Sequence, residues 1–129
     1  MTTELWMLTA TAVWSWVLIM VAATPGLLTN GLGWGLGNRE TPPPSTGWPA
    51  RANRASANML ENLPLFAILV LVAHVSGQSD AMSATGSQIF LGGRVAHGVI
   101  YIAGVPGLRT LAWAVSIVGM AMVGASILR

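Results

Sequence analysis

The chain has 129 residues, 53% of them hydrophobic and 8% charged, with a mean hydropathy of +0.65. Soluble domains carry about a quarter charged residues, so this chain has too few charges to coat a surface facing water, and an integral membrane protein is the class that fits. Six scattered arginines and no lysine stand against four acids, which excludes the clustered basic footprint of a nucleic-acid binder. The absence of cysteine excludes disulfides, thiolate metal sites and a cysteine nucleophile.

The first apolar run, Leu5 to Thr24, is about 20 residues and long enough to cross ~30 Å of hydrocarbon. It opens with Glu4 and has no Lys or Arg before it, so it reads as a retained helix rather than a cleaved signal peptide. Residues 25–51 turn to Gly, Pro, Ser and Thr, with Gly31, Gly33, Gly35 and Gly37 alternating ahead of Pro42, Pro43 and Pro44. Such residues resist regular helix and predict one long loop. Trp34 and Trp48 within it suit a membrane interface. A second span follows from Ala52 to Ser76, a turn at Gly77 to Asp80, and a third span from Ala84 to Ala103. Gly104, Pro106 and Gly107 form a tight turn before a fourth span, Leu108 to Leu128, whose Ala112, Ser116, Ala121 and Ala125 permit close helix approach. The expected fold is therefore all-α, a single-domain, up-down-up-down bundle of four membrane helices. Arg39, Arg51, Arg54 and Arg109 gather on the side of the long loop, so the positive-inside rule places that loop in the cytoplasm and both termini opposite.

The polar residues fall on helical stripes. Arg51, Arg54, Asn58 and Glu61 follow steps of three and four along the second span, and Arg94, His97 and Tyr101 do the same along the third. Counting from the turn between these spans, Asn58 and Glu61 lie about 24 to 29 Å away and His97 and Tyr101 about 20 to 26 Å, so the stripes share one depth in the half nearer the long loop. An ionisable group at the centre of a membrane helix costs roughly 2.5 to 3.5 kcal/mol on insertion scales, so these groups need partners or a ligand. A buried Arg94–Glu61 ion pair that only fixes helix register is one alternative. His97 is equally a helix-to-helix hydrogen bonder or a ligand donor. His74 sits only ~5 Å from the turn, too far from His97 for both to meet one haem iron.

Arg51, Arg54, Asn58 and Glu61, the adjoining Asn62-Leu63-Pro64-Leu65-Phe66, and Arg94, His97 and Tyr101 one span later together resemble the MAPEG family, the membrane-associated proteins of eicosanoid and glutathione metabolism. The resemblance implies a homotrimer of four-helix subunits embedded in membrane lipid, with glutathione bound between subunits near the cytoplasmic side and a lipophilic substrate entering from the bilayer. By position it implies glutathione contacts from Arg54, Asn58, Glu61, Arg94, His97 and Tyr101, with Arg51 beside them. Arg109 is similar in placement to the arginine that holds the thiolate in catalytic members, Thr110 stands where they have a nearby hydroxyl, and Tyr101 is placed to add a hydrogen bond. Ser56 and Ala57 depart from the longer polar residues of some members, and Arg39 lies far beyond the position of the family's first-span arginine.

These residue types suit that ligand. Arginines bind the two carboxylates of glutathione bidentately, Glu61 is a natural partner for its ammonium, and a fixed cation favours the thiolate. The expected activity is that of a glutathione-dependent transferase or peroxidase acting on lipophilic electrophiles or hydroperoxides. A non-catalytic membrane subunit or lipid-binding module is the rival reading. A channel is disfavoured because beyond Pro64 the second span reads LFAILVLVA and offers no polar path.

Overall fold

Local chemistry sets the helix boundaries in the computed structural model, which describes residues 1–129. The four helices are α1 (Thr3–Leu36), α2 (Gly47–Val75), α3 (Ala81–Ala103) and α4 (Pro106–Ile127). Thr2 caps α1 through its hydroxyl, and Asp80 and Ser83 form a reciprocal capping box on α3. Gly104 ends α3 in the left-handed conformation at φ 88°, and Pro106 opens α4 in its first turn.

The expected long loop is largely helical. α1 runs through Pro25 and reaches Leu36, with one break at Gly31, where φ is 82° and ψ 172°. Only residues 37–46 connect it to α2. The straight part of α1, Thr3 to Asn30, ends at the Gly31 break and spans about 42 Å, so its last turns project past the ~30 Å hydrocarbon layer. The apolar run stops there, but the helix does not.

Three helices, α1, α2 and α4, are long and apolar enough to cross a membrane, which makes this an integral multi-pass membrane protein. α3 has the length, 23 residues, but carries Arg94, His97 and a run of Ser and Gly that dilute its hydropathy. Only 25 of the 129 residues are buried, and outward-facing side chains include Trp6, Trp16, Leu65, Ile68 and Val118. That surface is compatible with lipid and not with water.

α2 and α3 each touch all three other helices, whereas α1 and α4 do not touch each other. Glu4 at the start of α1 meets Ser83 at the start of α3, so those two helices run parallel. Arg51 near the start of α2 bonds the Ile102 carbonyl at the end of α3, and Arg129 after α4 pairs with Asp80 before α3. Both α2 and α4 therefore run antiparallel to α3, as an up-down-up-down bundle requires. Leu18, Met59, Phe66, Val70, Phe90 and Val123 form the core, with the Phe66 and Phe90 rings stacked at 3.9 Å and 14°. Glycines bring α3 and α4 into backbone contact, because a Cβ at Gly119 would fall 2.5 Å from the Gly86 carbonyl oxygen and 2.5 Å from the Phe90 nitrogen.

The α3 cap responds to acid. The Ser83 backbone N–H, assisted by Arg129, holds the Asp80 carboxyl below its ordinary value of 3.8. A carboxylate depressed in the folded state contributes stability that is complete above its unfolded pKa and lost as pH falls through the folded one. Thermal unfolding followed from about pH 6 to about pH 2 is expected to show this loss below about pH 4. Asp80→Asn, which caps without titrating, is expected to flatten that part of the profile.

Candidate functional site

The end of the bundle nearest residues 37–46 holds a cavity of about 260 Å³ lined by Asn58, His97, Tyr101, Arg109, Thr110 and Trp113. Three helices supply it. On α3, His97 and Tyr101 are four residues apart and so share a face, and their rings meet edge to face at 5.4 Å and 80°. On α4, Arg109, Thr110 and Trp113 occupy the first two turns, with the Arg109 guanidinium carbon 4.3 Å from the centre of the Tyr101 ring. That stacking restrains a long side chain without occupying its hydrogen-bond donors.

Asn58 closes the α2 side of the cavity. Its Oδ1 accepts a 2.7 Å bond from Arg94 Nη2, so its amide Nδ2 is the group left to face a ligand. Asn62 Nδ2 in turn bonds the Asn58 carbonyl at 2.8 Å. Arg94 itself is 1% exposed and lies behind the cavity wall. It also directs Nε to the Met59 sulfur at 3.4 Å, while Nη1 has no partner within the chain. The buried Arg94–Glu61 ion pair does not form, because Asn58 takes the guanidinium and Glu61 faces outward.

α1 buttresses this arrangement from the far side of α3. The Trp14 indole Nε1–H donates to the Arg94 carbonyl at 3.2 Å, and its ring lies against Gly98, where a Cβ would come within 2.9 Å. Glycine at that position lets the indole settle one residue from His97.

Asn58, His97 and Tyr101 thus meet at the depth that the stripe count predicts, joined by Arg109 and Thr110 from α4, with Arg94 directly behind them. Arg51, Arg54 and Glu61 do not line the cavity. Arg51 Nε bonds the Ile102 carbonyl at 2.9 Å, Arg54 Nη2 reaches the Ser45 carbonyl at 3.1 Å, and Glu61 is exposed on the α2 surface. Sequence reasoning missed Trp113 in the wall and Met59 beneath Arg94. The first carried a usable signal, since it stands four residues after Arg109 and therefore on the same face. No cluster of three His, Asp or Glu side chains suited to a metal ion is present.

The fold and the cavity define a membrane helical bundle with a polar, arginine-bearing site at one end. The MAPEG family model matches residues 4–129, and the chain belongs to the MAPEG family. No curated protein and no solved structure is matched by it.

Proposed function

We propose that this protein is a glutathione-dependent transferase or peroxidase that acts on lipophilic electrophiles or hydroperoxides within the membrane. The observation that carries this reading is Arg109, stacked on Tyr101 at the cavity wall. It lies in the first turns of a helix whose cap residue, Val105, supplies no side-chain hydrogen bond. The unsatisfied N–H groups there add partial positive charge to that of the guanidinium. A free thiol titrates at about 8.5 and is mostly protonated at neutral pH, and such a site favours the thiolate. The sulfur lone pair then forms a C–S bond as the leaving group departs. With a hydroperoxide it takes an oxygen, the alcohol leaves, and a second glutathione converts the sulfenic acid to a disulfide with loss of water.

In this reading Asn58 and His97 hold the tripeptide, Arg94 fixes Asn58, and Tyr101 hydrogen-bonds the tripeptide or the sulfur. α3 crosses the membrane with the other three helices, and the loop side faces the cytoplasm. The outward positions of Arg54 and Glu61 suit a homotrimer in which the α2 surface of one subunit completes the site at its neighbour, with Glu61 against the glutathione ammonium and the arginines toward its carboxylates.

The test is a titration of detergent-purified protein with glutathione, following thiolate absorbance and thermal unfolding together. A thiolate signal with a raised melting temperature is the expected result. A thermal rise without thiolate, or neither signal from an intact protein, overturns the catalytic reading in favour of a non-catalytic membrane subunit. Glu61→Gln is expected to weaken glutathione binding about tenfold, the cost of one charge-assisted contact, and normal affinity in that variant would remove Glu61 from the site.

A further inference from the structure

A second and larger cavity, about 440 Å³, lies between the end of α1 and the start of α2 and shares no lining residue with the site above. Its construction begins at Gly31, whose positive φ breaks α1 and folds the chain back. The Trp34 ring then lies against Gly26, where a Cβ would meet it at 2.7 Å. The Trp34 Nε1–H is tied to the Thr41 hydroxyl at 3.2 Å. Arg39 sits over the same ring, with its guanidinium carbon 5.5 Å from the centroid, and its Nε donates to the Gly35 carbonyl at 3.0 Å. Apolar walls come from Ala22, Pro25 and Pro42 to Pro44, and Asn53 of α2 contributes an amide.

The cavity sits at the membrane boundary. Gly98 on α3 packs against Trp14 and Leu18 of α1, and α3 ends at Ala103, so at ~1.5 Å per residue its end lies level with Ala22 and Ala23. Ala22 and Ala23 therefore mark the edge of the bundle, and Trp34, Arg39 and Asn53 lie at or beyond it. This is the layer that holds lipid headgroups, where an amphipathic ring and a cation are both favoured.

We propose that this cavity binds the headgroup of an anionic phospholipid of the surrounding bilayer. Arg39 retains both terminal nitrogens for a phosphate oxygen, a pairing that guanidinium geometry favours. Asn53 adds a neutral donor, and the Trp34 and proline surfaces cover the glycerol and first methylenes. Glu40 faces the shallower cleft on the outer side of Arg39, leaving the inner cavity without a carboxylate.

The full-length protein, reconstituted with equal amounts of phosphatidylglycerol and phosphatidylcholine and re-extracted in mild detergent, is expected to retain phosphatidylglycerol preferentially. Arg39→Gln is expected to reduce that preference about tenfold, as for loss of one charge-assisted hydrogen bond, and Trp34→Ala to reduce it further. Arg129→Gln, the same charge change at the opposite end of the bundle, is expected to leave it intact. Equal retention of the two lipids by the unmodified protein overturns the proposal whether or not the variants fold. Binding of inorganic phosphate as tight as that of phosphatidylglycerol, which would make a free phosphate the ligand, overturns it as well. So does displacement of the retained lipid by glutathione, which would assign the cavity to the thiol site.

Discussion

Replacing Arg109 by Ala is expected to lower turnover about 100- to 1000-fold, the range seen when one preorganised donor is removed from a developing negative charge, while glutathione affinity changes little. The asymmetry follows from the geometry. Arg109 lies on the α4 side of the cavity, stacked on Tyr101, whereas the tripeptide is assigned to α2 and α3. Loss of the cation removes the group that favours the thiolate and leaves the contacts to the peptide in place. Steady-state kinetics with a lipophilic chloroarene, alongside thiolate absorbance, provides the check. Normal turnover in the Ala variant would remove Arg109 from the chemistry. Arg109→Lys is expected to recover only part of the loss, because an ammonium keeps the charge but lacks the planar face that stacks on Tyr101.

The largest effect on stability is expected at Gly119. A side chain there meets backbone atoms on α3, the Gly86 carbonyl oxygen and the Phe90 nitrogen, each 2.5 Å from the new Cβ. Backbone cannot swing aside as the end of a flexible side chain can, so the two helices must separate along their whole contact. Overpacking a fitted interior costs about 1 to 3 kcal/mol and occasionally more. Gly119→Val is expected to lie at or above the top of that range, seen as a lower melting temperature in detergent or loss of folded protein. Gly92 provides the contrast within the same helix pair, since a Cβ there meets nothing within 4 Å. Gly92→Ala is expected to leave stability unchanged or raise it by up to about 1 kcal/mol, because glycine is a poor helix residue. Equal behaviour of the two variants would mean that the α3–α4 contact does not limit stability.

Much of the bundle is legible in the sequence because hydrocarbon imposes a length and an apolar composition on whatever crosses it. The second and fourth helices begin and end within a few residues of the expected Ala52 to Ser76 and Leu108 to Leu128, and they pass the test of apolarity. α3 ends at the expected Ala103 and starts earlier, at Ala81, but falls short in apolarity, because the residues that form the cavity dilute its hydropathy. The first helix departs from expectation at its far end, where it replaces the expected loop as far as Leu36 and the membrane no longer constrains composition. Gly33, Gly35 and Pro25 are weak helix formers but not obligatory stops, and only Gly31 interrupts α1. The meeting of Asn58, His97 and Tyr101 was legible because periodicity fixes a face and the short turn fixes a depth. The partner of Arg94 was not. Asn58 and Glu61 share a stripe, and which of the two a guanidinium reaches depends on how far apart and how rotated α2 and α3 are, quantities that nothing local in the sequence fixes. The Trp14 bond to the Arg94 carbonyl joins residues 80 apart, and no local pattern announces it.

The central position of α3 also bears on how the chain enters a bilayer during synthesis. It is the helix least suited to partition into lipid alone, since it carries Arg94, and a single arginine at a helix centre opposes insertion by roughly 2.5 to 3.5 kcal/mol. It also packs most extensively against α4. α4 follows after a turn of two residues and closes against α3 through glycine. In the proposed four-span topology the α3–α4 hairpin is the natural unit of insertion, with the apolar fourth segment carrying the polar third segment across, and Asn58 of α2 in place to receive the guanidinium.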